Sequence, residues 1–130
     1  MKRAGILHSA LAGHCAGLGH TDRVAVVDCG TPLPAGVPLV DLALVHGVPS
    51  FEVTLAALVG ELVVEGHAYA AEATGTAAEQ WVRAHGAALG EAEVVPHEEL
   101  KAMLSRCALV VRTGEATPYA NVVLRCGVSF

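Results

Sequence analysis

Short apolar runs alternate along this chain with longer segments in which apolar residues recur at helical spacing. Val24 to Val27 is the clearest run, because four consecutive small or branched apolar residues are typical of a strand buried on both faces. Further strands are predicted on the same grounds at residues 39–44, 62–70, 94–95, 108–112 and 121–126.

The predicted helices begin at residues that favour the first turn of a helix, namely Ser9, Ser50, Thr76 and Pro96. The first helix is predicted to end near Leu18, and the third near Gly86 or Gly90. This alternation predicts an α/β fold with a single domain over residues 1–130. We expect three layers, in which helices flank a largely parallel central sheet.

Composition adds an expectation about assembly. Hydrophobic residues make up 53% of the 130 residues and charged residues 16%, whereas a typical soluble domain has about 25% charged residues. Because so few charges cover so small a surface, part of the apolar surface is expected to be buried against copies of the same chain. The composition therefore predicts a homo-oligomer.

The net charge, the first residues and the spacing of the cysteines argue against several classes of protein. The formal net charge is −5 and the eight basic residues are scattered, so nucleic acid is not an expected partner. No signal peptide or membrane span follows the first residues, so we expect a cytoplasmic protein without membrane contact. The four cysteines lack Cys-x-x-Cys spacing, which favours buried free thiols over disulfides or zinc.

Polar groups flank the predicted strand at Val24 to Val27. His20 lies in the loop that leads into this strand, and Asp28 follows it directly. Imidazole has an unperturbed pKa of roughly 6.5 and exchanges protons near neutral pH. Asp28 would lie at the carboxyl edge of the sheet, where α/β proteins bind ligands. These residues predict an acid/base site, although Asp28 is equally suited to capping the turn at Gly30.

Other candidate groups follow later strands. His97 comes after Pro96, at the end of one strand and the start of a helix, and His46 lies on a loop. In residues 117–121, Tyr119 offers a flat face with a hydroxyl, and Asn121 offers both a donor and an acceptor. This set suits a polyol, and the alternative is an ordinary tight turn before the last strand. The remaining histidines are expected to have structural roles.

Neither a nucleotide cofactor nor a metal is predicted. Gly13, Gly17 and Gly19 lie within or after a helix and precede a strand, whereas the dinucleotide fingerprint follows a strand and opens a helix. No pair of histidines has helical i, i+4 spacing with a third ligand nearby. We therefore expect chemistry that needs no cofactor.

Several motifs in one order resemble the D-ribose pyranase family. They are Gly19-His20-Thr21-Asp22, Asp28-x-Gly30-x-Pro32-x-Pro34, Asp41-Leu42-Ala43-Leu44 followed by Gly47-Val48-Pro49-Ser50-Phe51, Pro118-Tyr119-Ala120-Asn121, and the terminal Gly127-Val128-Ser129-Phe130. The resemblance implies an isomerase that interconverts the pyranose and furanose forms of D-ribose. It implies that His20 is the catalytic proton donor, and that substrate binds to Asp28, His97, Tyr119, Ala120 and Asn121. It also implies a ring-shaped pentamer or decamer with sites at subunit boundaries.

Two alternatives accompany this resemblance. A related family acts on L-fucose and shares the Gly-His and Tyr-x-Asn motifs, but it tends to have arginine where this chain has His97, and its loop after the first strand differs. Ribose is therefore the better expectation. The other alternative is a sugar-binding ring without catalysis, which would need Asp28 and Tyr119 but no titratable residue at position 20.

Overall fold

A single six-stranded sheet forms the centre of the molecule. The computed structural model describes residues 1–130. The strands, in chain order, are β1 (Arg23–Val27), β2 (Leu39–Asp41), β3 (Val64–Ala70), β4 (Glu91–Val95), β5 (Leu109–Arg112) and β6 (Val122–Cys126). Their order across the sheet is β2-β5-β1-β6-β3-β4.

Strand direction is uniform except at β6. The pairs β1–β5, β2–β5 and β3–β4 are parallel, and β6 is antiparallel to both of its neighbours, β1 and β3. Five strands therefore run one way and the last strand of the chain is inserted among them in the opposite direction. The prediction of a largely parallel sheet is confirmed, and the sheet is mixed because of β6.

Helices cover both faces of this sheet. The helices are α1 (Ser9–Gly17), α2 (Phe51–Val59), α3 (Ala77–Arg83) and α4 (His97–Met103). Alternate residues of β1 face opposite layers: Val24 and Val26 belong to the larger core cluster, which takes in α1, α2 and α3. Ala25 and Val27 belong to the smaller cluster, which takes in α4. The three-layer α/β architecture is therefore confirmed.

Side chains of α2 illustrate what holds these layers together. Phe51, Leu55 and Leu58 of this helix have no exposed surface, and burial of each such side chain contributes about 1.5–3 kcal/mol relative to leaving it in water. The Ser50 hydroxyl accepts a hydrogen bond from the amide of Val53, so Ser50 caps α2 as predicted.

Some element boundaries differ from the sequence prediction. The cap of α1 is His8, whose Nδ1 accepts a hydrogen bond from the amide of Leu11, and Ser9 is the first helical residue. Strand β2 stops at Asp41 because the Asp41 carboxylate accepts a hydrogen bond from the amide of Ala43 and turns the chain. Strand β4 begins at Glu91, three residues before the predicted Val94. The sequence pattern missed this start because β4 lies at the sheet edge and its first four residues are exposed, so they form no apolar run.

Two expectations from the sequence concern the state of the cysteines and the presence of a membrane span. All four cysteines are free, and burial raises the pKa of the Cys107 thiol to about 11. No helix has both the length and the apolar composition that crossing a membrane requires.

Candidate active site

A polar cavity of about 490 Å³ opens at the carboxyl ends of β1 and β5. Ligand pockets commonly have volumes of about 300–1,000 Å³. Its walls include Asp28 after β1, the loop residues 115–119 after β5, and His97 and Lys101 on α4. The predicted loop histidine, His46, also lines it. The cavity thus lies where ligand crevices of α/β sheets are expected.

Asp28 is held by a network of hydrogen bonds. One carboxylate oxygen accepts from the amide of Gly30 and from the hydroxyl of Thr31, at 3.0 and 2.9 Å. The other oxygen accepts from Nδ2 of Asn121 at 3.0 Å, and Oδ1 of Asn121 accepts from the amide of Asp28 at 2.9 Å. Asp28 therefore both caps its turn and presents a fixed carboxylate to the cavity, so the two roles considered for it are compatible.

His97 and Tyr119 form an aromatic corner of the cavity. Their ring centroids are 5.1 Å apart and the ring planes are close to perpendicular, at 81°. This is a favoured edge-to-face arrangement. The amide of His97 donates to the Glu72 carboxylate at 2.7 Å, while its ring atom Nδ1 is buried without a hydrogen-bond partner. His97 and Tyr119 both line the cavity, whereas the buried Nδ1 of His97 is not open to a ligand in this arrangement.

Hydrogen bonds to the Glu115 carboxylate fix the loop that carries Tyr119. The Glu115 carboxylate accepts hydrogen bonds from the amides of Phe51, Ala116 and Thr117 and from the Thr117 hydroxyl. Burial raises the pKa of Glu115, but these hydrogen bonds outweigh burial, so the pKa lies below its ordinary value. An ionised Glu115 thereby ties the start of α2 to the cavity loop.

Ala120 and Asn121 lie behind the cavity wall. Ala120 has no exposed surface and Asn121 is 3% exposed. The polar atoms of the Asn121 side chain bond to Asp28 and Thr31, so Asn121 supports these two residues and does not itself line the cavity. Tyr119, by contrast, reaches the cavity from a left-handed backbone conformation, with φ of 63°.

His20 lies at the other end of β1. A strand of five residues spans roughly 17 Å, and His20 precedes β1 whereas Asp28 follows it. The His20 imidazole contacts Glu65, with Nε2 and Oε2 3.1 Å apart, and it does not line the cavity. Within one chain, then, Asp28, His97 and Tyr119 come together, Ala120 and Asn121 support them, and His20 is separate.

Three cavity residues with charged or hydroxyl side chains, Lys101, Thr31 and Glu115, were not among the sequence candidates. Lys101 lies one helical turn after His97, a spacing that places both side chains on one face of α4. Thr31 and Glu115 had no sequence signal of their own, because their importance depends on contacts with strands distant in sequence. No group of three or more His, Cys, Asp or Glu side chains is arranged to hold a metal ion.

The fold and the polar cavity define an α/β domain built to bind a small polar ligand, and comparison with known proteins gives the family. The chain belongs to the RbsD / FucU transport protein family, whose model matches residues 1–129. It is 51% identical over 130 residues to the D-ribose pyranase of Corynebacterium glutamicum strain R, with both chains covered completely. It is 52% identical over 132 residues to the D-ribose pyranase of Streptomyces avermitilis, again with both covered completely.

Solved structures agree with this assignment. The Bacillus subtilis RbsD complexed with D-ribose has a TM-score of 0.93 and 42% identity, with both chains covered completely. The fucose mutarotase of Streptococcus pneumoniae, in complex with L-fucose, has a TM-score of 0.81 at 18% identity over both full chains, and this likeness is one of fold. The predicted family is confirmed.

Proposed function

We propose that this chain is a D-ribose pyranase, an isomerase that interconverts the pyranose and furanose forms of D-ribose without a cofactor. The observation that carries the proposal is the cavity in which the fixed carboxylate of Asp28 faces His97 and Tyr119. Identity of about half over the whole chain with curated D-ribose pyranases supports the choice of sugar.

The reaction needs general acid/base chemistry only. Opening the ring removes the proton of the anomeric hydroxyl, breaks the bond between the anomeric carbon and the ring oxygen, and protonates that oxygen. Closure through a different hydroxyl reverses these steps. A positioned acid or base contributes about 10²- to 10⁴-fold to such a reaction.

Each candidate residue has a role in this scheme. The carboxylate of Asp28 accepts hydrogen bonds from sugar hydroxyls, and such charge-assisted bonds are roughly twice as strong as neutral ones. Tyr119 provides a face and a hydroxyl, and His97 orients the sugar. Ala120 and Asn121 hold the floor of the site, and His20, as imidazolium, protonates the ring oxygen.

Within one chain, His20 and the cavity lie at opposite ends of β1. His20 can therefore reach a cavity only if that cavity belongs to another copy of the chain. We therefore propose that the working site forms between adjacent subunits of a homo-oligomer, a pentamer or decamer. The low share of charged residues, 16%, supports burial of surface between copies. A cytoplasmic location also belongs to this proposal.

Ribose ring exchange followed by NMR saturation transfer tests the function. The wild-type chain should accelerate exchange between pyranose and furanose signals, and His20→Ala should remove most of that acceleration, a loss of about 10²-fold or more. Faster exchange of L-fucose than of ribose would favour the fucose alternative. Binding of ribose without faster exchange would favour the non-catalytic ring, and equal rates in wild type and His20→Ala would remove His20 from the mechanism.

A further inference from the structure

His20 is the first member of a line of three charged or polar side chains at the end of the sheet opposite the cavity. Its Nε2 lies 3.1 Å from Oε2 of Glu65, and Oε1 of Glu65 lies 3.1 Å from Nε of Arg125. The side chains of His20 and Glu65 are 53% and 35% exposed. The imidazole is therefore held by a carboxylate while much of its surface stays open to a partner.

An irregularity in β3 aims Glu65 at His20. Val64 pairs with Cys126 and Gly66 pairs with Arg125, so Glu65 is an extra residue that has no partner on β6. Such β-bulges occur near active sites, where they redirect a side chain. The bulge turns Glu65 towards Arg125 and His20 instead of leaving it on the regular face of the strand.

Gly90 keeps the bulge in place from the other side. A Cβ atom at Gly90 would lie 2.1 Å from the carbonyl oxygen of Glu65, and Gly90 itself has a φ of +65°. The backbone of Glu65 is therefore in close contact with a position that only glycine fits.

The backbone around His20 is also fixed. The Asp22 carboxylate accepts a hydrogen bond from the amide of Gly19, and the amide of Thr21 donates to the carbonyl of Cys126 on β6. Thr21 has a φ of 70°, an uncommon value for a branched residue. The backbone contacts and the contact of Nε2 with Glu65 together restrict the orientation of the imidazole.

From this geometry we infer that Glu65 is a positioning residue for His20, and that Nδ1 of His20 is the nitrogen that exchanges a proton with the sugar. A carboxylate only accepts hydrogen bonds, so Nε2 must carry the proton in the His20–Glu65 contact. That leaves Nδ1 as the free nitrogen. The inference rests on the proposed function and adds to it the tautomer, the reacting atom and the role of Glu65.

The proton balance follows from this assignment. In the acid form both nitrogens are protonated, and Nδ1–H gives its proton to the ring oxygen as the bond from that oxygen to the anomeric carbon breaks. The anomeric hydroxyl gives its proton to water or a neighbouring base, which yields the open aldehyde. When a different hydroxyl closes on the aldehyde, its proton returns to Nδ1, and the carbonyl oxygen takes back the proton held by water or the neighbouring base, so no group is consumed. Throughout these steps, the Nε2–H group of His20 stays hydrogen-bonded to the Glu65 carboxylate.

Steady-state measurements of ribose ring exchange test the positioning role. Glu65→Gln removes the charge that holds Nε2 but keeps the size of the side chain, so kcat should fall about tenfold or more while KM changes little. In the double variant with His20→Ala, adding Glu65→Gln should cause no further loss, because Glu65 acts through His20. Glu93→Gln is the matched control, since Glu93 is exposed on β4 and its side chain is not part of the His20–Glu65–Arg125 line, and its rate should equal that of the wild type.

Nitrogen NMR of the His20 ring gives a second measurement that does not need activity. At a pH where the imidazole is neutral, the wild-type ring should show a protonated Nε2 and an unprotonated Nδ1. Glu65→Gln should shift this ring towards a mixture of tautomers, and Glu93→Gln should leave it unchanged.

The outcomes separate this inference from the function on which it rests. A wild-type chain that fails to accelerate ribose exchange overturns the proposed function, and the ring tautomer then still decides the His20–Glu65 contact. If His20→Ala lowers exchange but Glu65→Gln leaves both kcat and the tautomer as in wild type, the proposed function stands and the positioning role is wrong. A wild-type ring protonated at Nδ1 alone also overturns the inference.

Discussion

Two hydrogen bonds, one donated by each residue, join Asn121 and Asp28 between neighbouring strands. Nδ2 of Asn121 donates to the Asp28 carboxylate, and the backbone amide of Asp28 donates to Oδ1 of Asn121. The first residue after β1 is thereby joined to the residue that precedes β6. The carboxylate that faces the cavity is thus fixed by the sheet itself.

Replacement of Asn121 by alanine should weaken both the fold and ligand binding. Asn121 is 3% exposed, and leaving its buried partners unpaired costs about 1–3 kcal/mol. Urea denaturation should show this loss, and titration with ribose should show weaker binding because Asp28 is no longer oriented. Ser105→Ala removes one exposed hydrogen bond and serves as control. Unchanged stability and affinity in Asn121→Ala would contradict the described network.

Removal of the Asp28 charge should affect binding far more than removal of a neighbouring carboxylate. Asp28→Asn should raise the Kd for ribose about tenfold or more, since hydrogen bonds to charged groups contribute about 1.5–3 kcal/mol. Asp41→Asn is the matched control, because Asp41 ends β2 at the same sheet edge but is paired with Arg112 and lies outside the cavity. Isothermal titration calorimetry measures both. Equal losses in the two variants would place the ligand elsewhere.

Glu115 should make stability depend on pH in the acidic range. Its pKa in the folded chain lies below the ordinary value of a glutamate. The resulting stabilisation is therefore fully present above the unfolded pKa, about 4.3, and is lost as pH falls through the folded pKa. Glu115→Gln should be less stable at neutral pH by about 1–3 kcal/mol, and the difference from wild type should shrink in acid. Urea midpoints at neutral and acidic pH test this, and a difference that grows in acid has the wrong sign.

Gly114 should resist substitution because the loop containing His46 packs directly on it. A Cβ atom there would lie 2.3 Å from the carbonyl oxygen of Val48 and 2.5 Å from that of Val45. Gly114→Ala should therefore cost about 1–3 kcal/mol as overpacking does, and should weaken ribose binding as the loop moves. Gly13→Ala is the control, since Gly13 lies in α1 with nothing within 4 Å and should gain up to about 1 kcal/mol. Thermal unfolding distinguishes the two.

The sequence predicted those parts of the fold that depend on local pattern. The apolar run at Val24 to Val27 and the cap at Ser50 are found within a residue of their predicted positions. The direction of β6 was not predictable, because an apolar strand buried on both faces reads the same in either direction. The exposed residues that begin β4 also lack the pattern that identifies a strand.

For the site, the sequence placed His20 and Asp28 at the two ends of one strand, but it did not show that they lie apart from each other within one chain. His20 and Asp28 are eight positions apart in sequence, yet the strand between them places them at opposite edges of the sheet. Glu65 carried no signal either, because the bulge that aims it arises from the pairing of β3 with β6. Contacts of this kind depend on register, which no local pattern specifies.

Subunit complementation tests the central claim most directly. His20→Ala and Asp28→Asn each disable a different half of the proposed site, and on their own both should show little ribose exchange by saturation transfer. When the two variants are unfolded, mixed and reassembled, some sites should combine an intact His20 with an intact Asp28 cavity, and exchange should return to a measurable fraction of the wild-type rate. Mixed oligomers, verified by mass spectrometry, that remain as inactive as either variant alone would contradict a site shared between subunits.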